Sequence, residues 1–251
     1  MTIEIQRSIS IVIPCLNDAV LLEQCLNSII AQTFQPEEVI VVDNGSTDNS
    51  VEVANRMGAR VVHEPLKGIT WASAAGYNSA RGDLIVRFDA DCVIPPDYLS
   101  HVISTWNRSE KTPGRTVVAL TGAGNFDIPG RRGEWLAALY LGAYRWSTKQ
   151  ALGHYPIFGS NSVISRQWWE DVKEKITLSK TFVHEDMYFS FFVRPHETVW
   201  FQKSLKVSMH PRALMGVRQS FIRLLRGFYT IKTAWEREPV QQRLKSRRNW
   251  S

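Results

Sequence analysis

Cysteine is scarce. Cys15, Cys25 and Cys92 are the only three in 251 residues, an odd number with no Cys-x-x-Cys spacing, which argues against a disulfide framework and a zinc site and points to a reducing, cytoplasmic setting. No window holds 18 consecutive apolar residues, so nothing in the sequence spans a bilayer. The segment from Met1 to Arg7 has no charged n-region, apolar h-region or small-residue cleavage site, and no signal peptide is expected. Repeats, low-complexity tracts and long linkers are missing too. Excess positive charge is absent from the body: residues 1–210 hold 20 Lys/Arg against 22 Asp/Glu, whereas 211–251 hold ten against two. Whatever binds through positive charge therefore binds the tail. With no helix-turn-helix, zinc or RNA-recognition signature, no nucleic acid is expected.

What is present suffices for one sizeable core, at 44% apolar residues, and single α/β domains of this length are ordinary. The first half alternates β-rich apolar runs with helical patterns, which predicts a parallel sheet with helices on its faces. Strands are expected at Ser8–Pro14, Val39–Asp43, Arg60–His63, Leu84–Asp89 and Thr116–Thr121. Asn17 or Asp18 caps a helix carrying Leu22, Leu26, Ile29 and Ile30; Thr47 or Asp48 opens a second that Gly58 closes. The second half is less regular: a helix from about Glu134 to Gln150, a strand around Ile157–Ser165 and a short helix from about Glu185 to Val193.

The run Leu84–Asp89 ends in two carboxylates, Asp89 and Asp91, spaced i, i+2. On extended backbone that spacing turns both acids to one side, where a Mg²⁺ or Mn²⁺ ion bridging diphosphate oxygens would need them. A solvated turn gives the same spelling. In open α/β sheets ligands bind beyond the carboxyl ends of the strands, and there stand Pro14-Cys15-Leu16-Asn17-Asp18, Asp43-Asn44-Gly45-Ser46, Glu64-Pro65-Leu66-Lys67-Gly68 and Asp89-Ala90-Asp91. Each fits a turn with a helix cap; together, on one edge, they read as a nucleotide pocket.

Ser10-Ile11-Val12-Ile13-Pro14, Val41-Val42-Asp43-Asn44-Gly45-Ser46, Arg87-Phe88-Asp89-Ala90-Asp91 and His184-Glu185-Asp186, in this order over Ser8–His210, resemble the family 2 glycosyltransferases. The resemblance implies a GT-A fold: an α/β, Rossmann-like nucleotide-sugar-binding sheet with helices on both faces and an elaborated acceptor half, in a single domain. It assigns 1–215 to that domain, about 1–125 to nucleotide binding and 126–215 to acceptor and catalysis, with 216–251 a basic amphipathic tail. It implies a metal-dependent inverting transfer from a nucleoside diphosphate sugar, UDP-linked, to an acceptor hydroxyl. Pro14 and Asp18 would line the base and ribose pocket, and Asp43 would accept the imide N–H of a uracil-like base. Lys67 would sit near the nucleotide, and Asp89 would contact the ribose and support the metal. Asp91 would ligate the metal. Asp186 would be the base that takes the acceptor proton; an acidic first helical turn is the plainer account of it. Phe158-Gly159-Ser160-Asn161-Ser162 resembles the loop beneath the donor sugar, with Asn161 on sugar hydroxyls, or is an ordinary turn. His210 stands where such enzymes bring a histidine to the metal, or is a packed residue. Two departures stand out: Cys15 replaces a small residue, and Ala74-Ala75 replaces an Arg-Asn pair, so no donor contact is taken from that helix.

A nucleotidyltransferase of related fold is the nearest enzymatic alternative, disfavoured because Cys15-Leu16-Asn17-Asp18 has neither Gly nor a basic residue. A basic module binding nucleic acid or a membrane surface is the other. From about Arg218, the residues Phe221, Leu224, Leu225, Phe228, Ile231 and Trp235 recur on one helical face, among Arg223, Arg226 and Lys232 and ahead of Arg243, Lys245, Arg247 and Arg248. That face fits a peripheral helix on the anionic inner surface of a membrane, or one packed on the core with a solvated end.

Overall fold

Every residue of Ile9–Cys15 (β1) is buried, as expected for a strand whose two faces are both covered by helices. The alternation of side chains decides which core each enters. Ile9, Ile11 and Ile13 join a cluster with Leu22, Cys25, Leu26 and Ile29 of α1 (Ala19–Ile30). Val12 points the other way, into a cluster with Ile40 and Val42 of β2 (Glu38–Asp43). The structure is a computed structural model describing residues 7–215 and 217–248; Met1–Gln6, on which the expectation about a signal peptide largely rests, lie outside the described residues.

The chain continues through α2 (Ser50–Arg56), β3 (Arg60–His63), α3 (Ile69–Ser79), β4 (Leu84–Arg87), β5 (Cys92–Val93), α4 (Tyr98–Lys111), β6 (Thr116–Phe126), α5 (Arg132–Leu152), β7 (Ser162–Ser165), α6 (Arg166–Val172), α7 (Glu185–Ser190), β8 (Glu197–Met209), α8 (Val217–Arg237) and α9 (Val240–Arg248). The strands form one eight-stranded sheet in the order β3-β2-β1-β4-β7-β6-β8-β5. β1 to β4 pair in parallel. β7 runs antiparallel to both β4 and β6, and β6 and β8 are parallel. The parallel half of the expected sheet is therefore present, and the second half joins it as a mixed extension.

Two expected boundaries move. β4 stops at Arg87, because the Cys92 N–H turns back to the Asp89 carbonyl at 3.1 Å. Asp89 and Asp91 thus sit on a turn, and the extended-strand argument for their common direction does not apply. The expected strand at Ile157–Ser165 is confined to Ser162–Ser165, and the loop before it is held by side-chain bonds instead of a ladder.

The tail folds back on the body. Arg243 and Arg247 are each only 3% exposed. Arg243 donates to the carbonyls of Leu152, Phe191 and Val193, and Arg247 to those of Arg194 and Glu197. The expectation of a solvated polybasic end is corrected for these two: their guanidinium groups cap carbonyls at the ends of α5 and α7 and at the start of β8.

Candidate active site

The loops after β1, β2 and β3 are stitched to one another by side chains. Asn17, the one described non-glycine residue with positive φ, at 54°, accepts from the Thr47 N–H at 2.7 Å. Asn44 donates to the carbonyls of Glu64 and Leu66 and accepts from the Gly68 N–H. Lys67 Nζ donates to the carbonyls of Asn44 and Gly45 at 2.9 and 3.0 Å. Asp43 is buried, accepts from the Ser46 N–H at 2.9 Å and faces His63 Nδ1 at 3.3 Å. Burial works to raise its pKa, but the bonds from Ser46, His63 and Gly45 outweigh it and leave the carboxyl below the usual range. Pro14 is buried at the end of β1.

Beyond β4 lies a cavity of about 680 Å³ whose wall includes Asp89, Asp91, Ser160, His184, His210 and Arg212, with Tyr140 and Leu141 from α5 and Gln219 and Arg223 from α8. Asp89 accepts from Arg87 Nη2 at 2.9 Å and from the Ser160 hydroxyl. Asp91 carries a salt bridge to Arg212 Nε at 2.7 Å, while the other end of that guanidinium holds Asp18 at 2.6 and 3.0 Å. Burial, reinforced by the charge of Asp89, pushes the Asp91 carboxyl up to about 6 despite Arg212. The His210 N–H donates to the Asp91 carbonyl at 3.3 Å.

Asp186 opens α7, with one oxygen accepting from the Gly159 N–H at 2.9 Å and the other from the Met187 N–H at 2.7 Å. Its neighbour Glu185 is buried 3.6 Å from Arg87 Nη1. Arg87 therefore reaches both Asp89 and Glu185 and joins the turn after β4 to the start of α7. A Cβ on Gly159 would lie 1.6 Å from Arg87 Nη1, so only glycine lets the loop pass so close.

Of the residues singled out in the sequence, Asp89, Asp91 and His210 share the cavity wall, and Asp18 is tied to it through Arg212. Asp186 is not part of that wall but is half-buried two residues after His184, which is, and Asp43 and Lys67 belong to the neighbouring loops. Asn161 does not face the cavity. It is 1% exposed, donates to the carbonyls of Ala123 and Leu205, and takes the Tyr98 hydroxyl on its oxygen. Its amide fastens β6 to β8 where their register shifts, and the sugar contact expected of it is corrected accordingly. Arg212 had no role in the sequence reading, and Ser160 entered it only as a small residue of the loop around Asn161; a lone Arg two residues after His210 carries no local signal, since its partners lie in other loops.

The Glycosyl transferase family 2 model matches residues 10–171. An undecaprenyl-phosphate 4-deoxy-4-formamido-L-arabinose transferase of Yersinia enterocolitica is 36% identical over 112 residues, covering 39% of this chain and 33% of that protein. The chain spans about a third or less of the length of the curated relatives it matches. Among solved structures, a mannosyltransferase of Pyrobaculum calidifontis in complex with GDP-Man and Mn²⁺ superposes with a TM-score of 0.70 at 19% identity, covering 96% of this chain and 69% of that one. A glucosyl-3-phosphoglycerate synthase of Mycobacterium tuberculosis with Mn²⁺, UDP-glucose and phosphoglyceric acid gives 0.57 at 19% identity, covering 91% and 79%. These likenesses establish the GT-A fold.

Proposed function

Because the chain belongs to glycosyl transferase family 2, we propose that it is a metal-dependent, inverting transferase moving a sugar from a nucleoside diphosphate, UDP by the chemistry around Asp43, to an acceptor hydroxyl. The observation that carries this reading is the connected acidic edge. Arg212 links Asp18 to Asp91, and Arg87 links Asp89 to Glu185, next to Asp186.

Asp91 and His210 fit a Mg²⁺ or Mn²⁺ ion. Their backbones are bonded to each other, both line the cavity, and a cation, the guanidinium of Arg212, already balances Asp91. Among the described residues no three His, Cys, Asp or Glu gather as a metal cage, so Asp89 is not counted with Asp91 and His210 as a ligand, and phosphate oxygens and water would complete the shell of a hard cation. When bound, the ion would supply Lewis-acid neutralisation of the departing diphosphate.

The chain's own residues do the rest. Asp43, held ionised by Ser46 and His63, accepts the imide N–H of the base. Pro14 and Asp18 bound the base and ribose pocket, and Lys67 fixes the loop that follows Asp43. Asp89, with both oxygens engaged, holds the turn on which Asp91 sits and presents its remaining lone pairs to the ribose. Asp186, oriented by two backbone N–H groups, takes the proton from the acceptor hydroxyl as that oxygen attacks the anomeric carbon. A single displacement from that side inverts the centre. The similar solved structures holding Mn²⁺ with GDP-Man or UDP-glucose support a metal-linked nucleotide sugar as donor, and the free thiols of Cys15, Cys25 and Cys92 suit a reducing, cytoplasmic setting.

Calorimetric titration of UDP, GDP and dTDP with and without Mn²⁺ tests this. UDP with Mn²⁺ is expected to bind tightest, and Asp91→Asn to weaken the metal-dependent part by at least about tenfold. Asp186→Asn is expected to keep donor affinity while lowering turnover by about 10² or more. Tighter GDP binding would overturn the choice of base, and normal turnover in Asp186→Asn would remove it as the proton acceptor.

A further inference from the structure

α8 is amphipathic in the wrong sense for a helix covering a protein core. The side it turns to the body is polar or small: Thr230 is fully buried, accepts from the His184 N–H at 2.8 Å and donates to the Arg226 carbonyl, while Thr233 and Ala234 lie buried beside it. Arg226 donates to the carbonyls of Phe182 and Val183. Its outer side carries Phe221, Leu224, Leu225 and Phe228, with Phe221 59% and Phe228 64% exposed. Of the expected apolar stripe only Ile231 packs inward. α5 behaves alike. Between Trp135 and Ala143 it is apolar all round, a pattern that belongs to a covered helix, yet only Ala137 and Leu141 of that stretch are buried and Trp135 and Leu139 are 75% and 68% exposed.

Both helices wall the same cavity, α5 through Tyr140 and Leu141 and α8 through Gln219 and Arg223. Their charge is predominantly positive. α5 contains Arg132, Arg145 and Lys149 against one acid, Glu134, which Lys206 pairs; α8 contains Arg218, Arg223, Arg226, Lys232 and Arg237 against one acid, Glu236. Exposed tryptophan and tyrosine lie along both helices, at Trp135, Tyr140, Trp146, Tyr229 and Trp235.

We propose that the exposed faces of α5 and α8 are a docking surface for an anionic lipid bilayer, which brings the cavity mouth to headgroup level and makes the acceptor a membrane-borne molecule. Apolar side chains interleaved with a surplus of Lys/Arg are the composition of helices that lie in the interfacial plane, and Trp and Tyr prefer that depth. A second copy of the chain fits less well, because a two-fold contact sets each basic face against itself. The acceptor half of the proposal rests on the transferase reading above; the docking half does not.

Flotation of the full chain with neutral phosphatidylcholine vesicles and with vesicles containing phosphatidylglycerol is the test, run without nucleotide or metal so that a wrong donor or base assignment cannot affect it. Wild type is expected to float with the anionic vesicles. The pair Leu139→Gln and Phe228→Gln, both at exposed positions, is expected to lower the partition coefficient at least about tenfold, and Val20→Gln, exposed on α1, to leave it unchanged. Equal partition of wild type and the double variant would overturn the docking face, as would absence of vesicle binding with concentration-dependent self-association, which would give the face to a second copy. If docking holds but a water-soluble acceptor is used equally well with and without vesicles, the acceptor inference falls.

Discussion

Arg87 entered the sequence reading only as the first residue of the motif ending in Asp91, with no role of its own, yet it organises the candidate site, because a guanidinium buried at 4% exposure must find its counter-charges nearby. Burial alone would lower its pKa; Glu185 and Asp89 more than reverse that. His154 makes the opposite case, a histidine with no motif that the fold uses neutral. Its Nδ1 sits 2.7 Å from the Tyr155 carbonyl, to which it donates, and Nε2 accepts from Arg243 at 3.1 Å. Burial, with the charges of Arg247 and Arg243, holds it well below the usual histidine value. The unfolded chain takes up this proton near pH 6.5 while the folded one resists, so the residue's contribution to stability is intact above about pH 6.5 and lost below it. Asp91, raised to about 6, works the other way, since the folded state protonates first and gains on acidification. A difference measurement separates them: in urea titrations, the stability gap between wild type and His154→Gln is expected to shrink by about 1 kcal/mol from pH 7 to 5.5. A gap independent of pH would show that His154 does not titrate in this way.

At the scale of elements, legibility followed locality. β1 to β4 and the helices between them were readable because each carries its own periodicity. β8 (Glu197–Met209) was not, since Gln202, Lys203 and Ser204 interrupt its apolar alternation at the point where its pairing with β6 shifts register. The inversion of α8 was equally hidden: periodicity finds an apolar stripe but not the direction it faces. The turn bearing Asp89 and Asp91 was found by spelling and misplaced by geometry. α3 shows how packing overrules propensity. Gly76 sits mid-helix, where alanine is ordinarily preferred by about 1 kcal/mol, but a Cβ there would lie 2.3 Å from Val12 Cγ1 and 2.9 Å from Val42 Cγ2. Both valines are fully buried and β-branched, with no room to yield. Overpacking of this kind costs about 1–3 kcal/mol, so Gly76→Ala is expected to lower the melting temperature measured by circular dichroism. An unchanged or higher melting temperature would mean that α3 can move off the sheet at no cost.

Over the whole molecule, one sheet with helices on both faces carries the body, and the C-terminal helices close against α5, α7 and the start of β8, held by Arg226, Arg243 and Arg247 reaching backbone carbonyls. The inverted α8 gives this molecule an unusual calorimetric character. Heat capacity rises on unfolding in proportion to newly wetted hydrocarbon, and the outer sides of α5 and α8 are wet beforehand. The native protein is therefore expected to show a ΔCp of unfolding below the ordinary 12–15 cal/mol/K per residue, about 3.0–3.8 kcal/mol/K for this length. It is also expected to bind the dye ANS while keeping the near-ultraviolet dichroism of fixed aromatic rings. Dye binding with that dichroism lost would signal a molten globule instead. Added anionic vesicles should compete the dye away and restore an ordinary heat capacity, since the lipid then hides in the folded state what unfolding exposes.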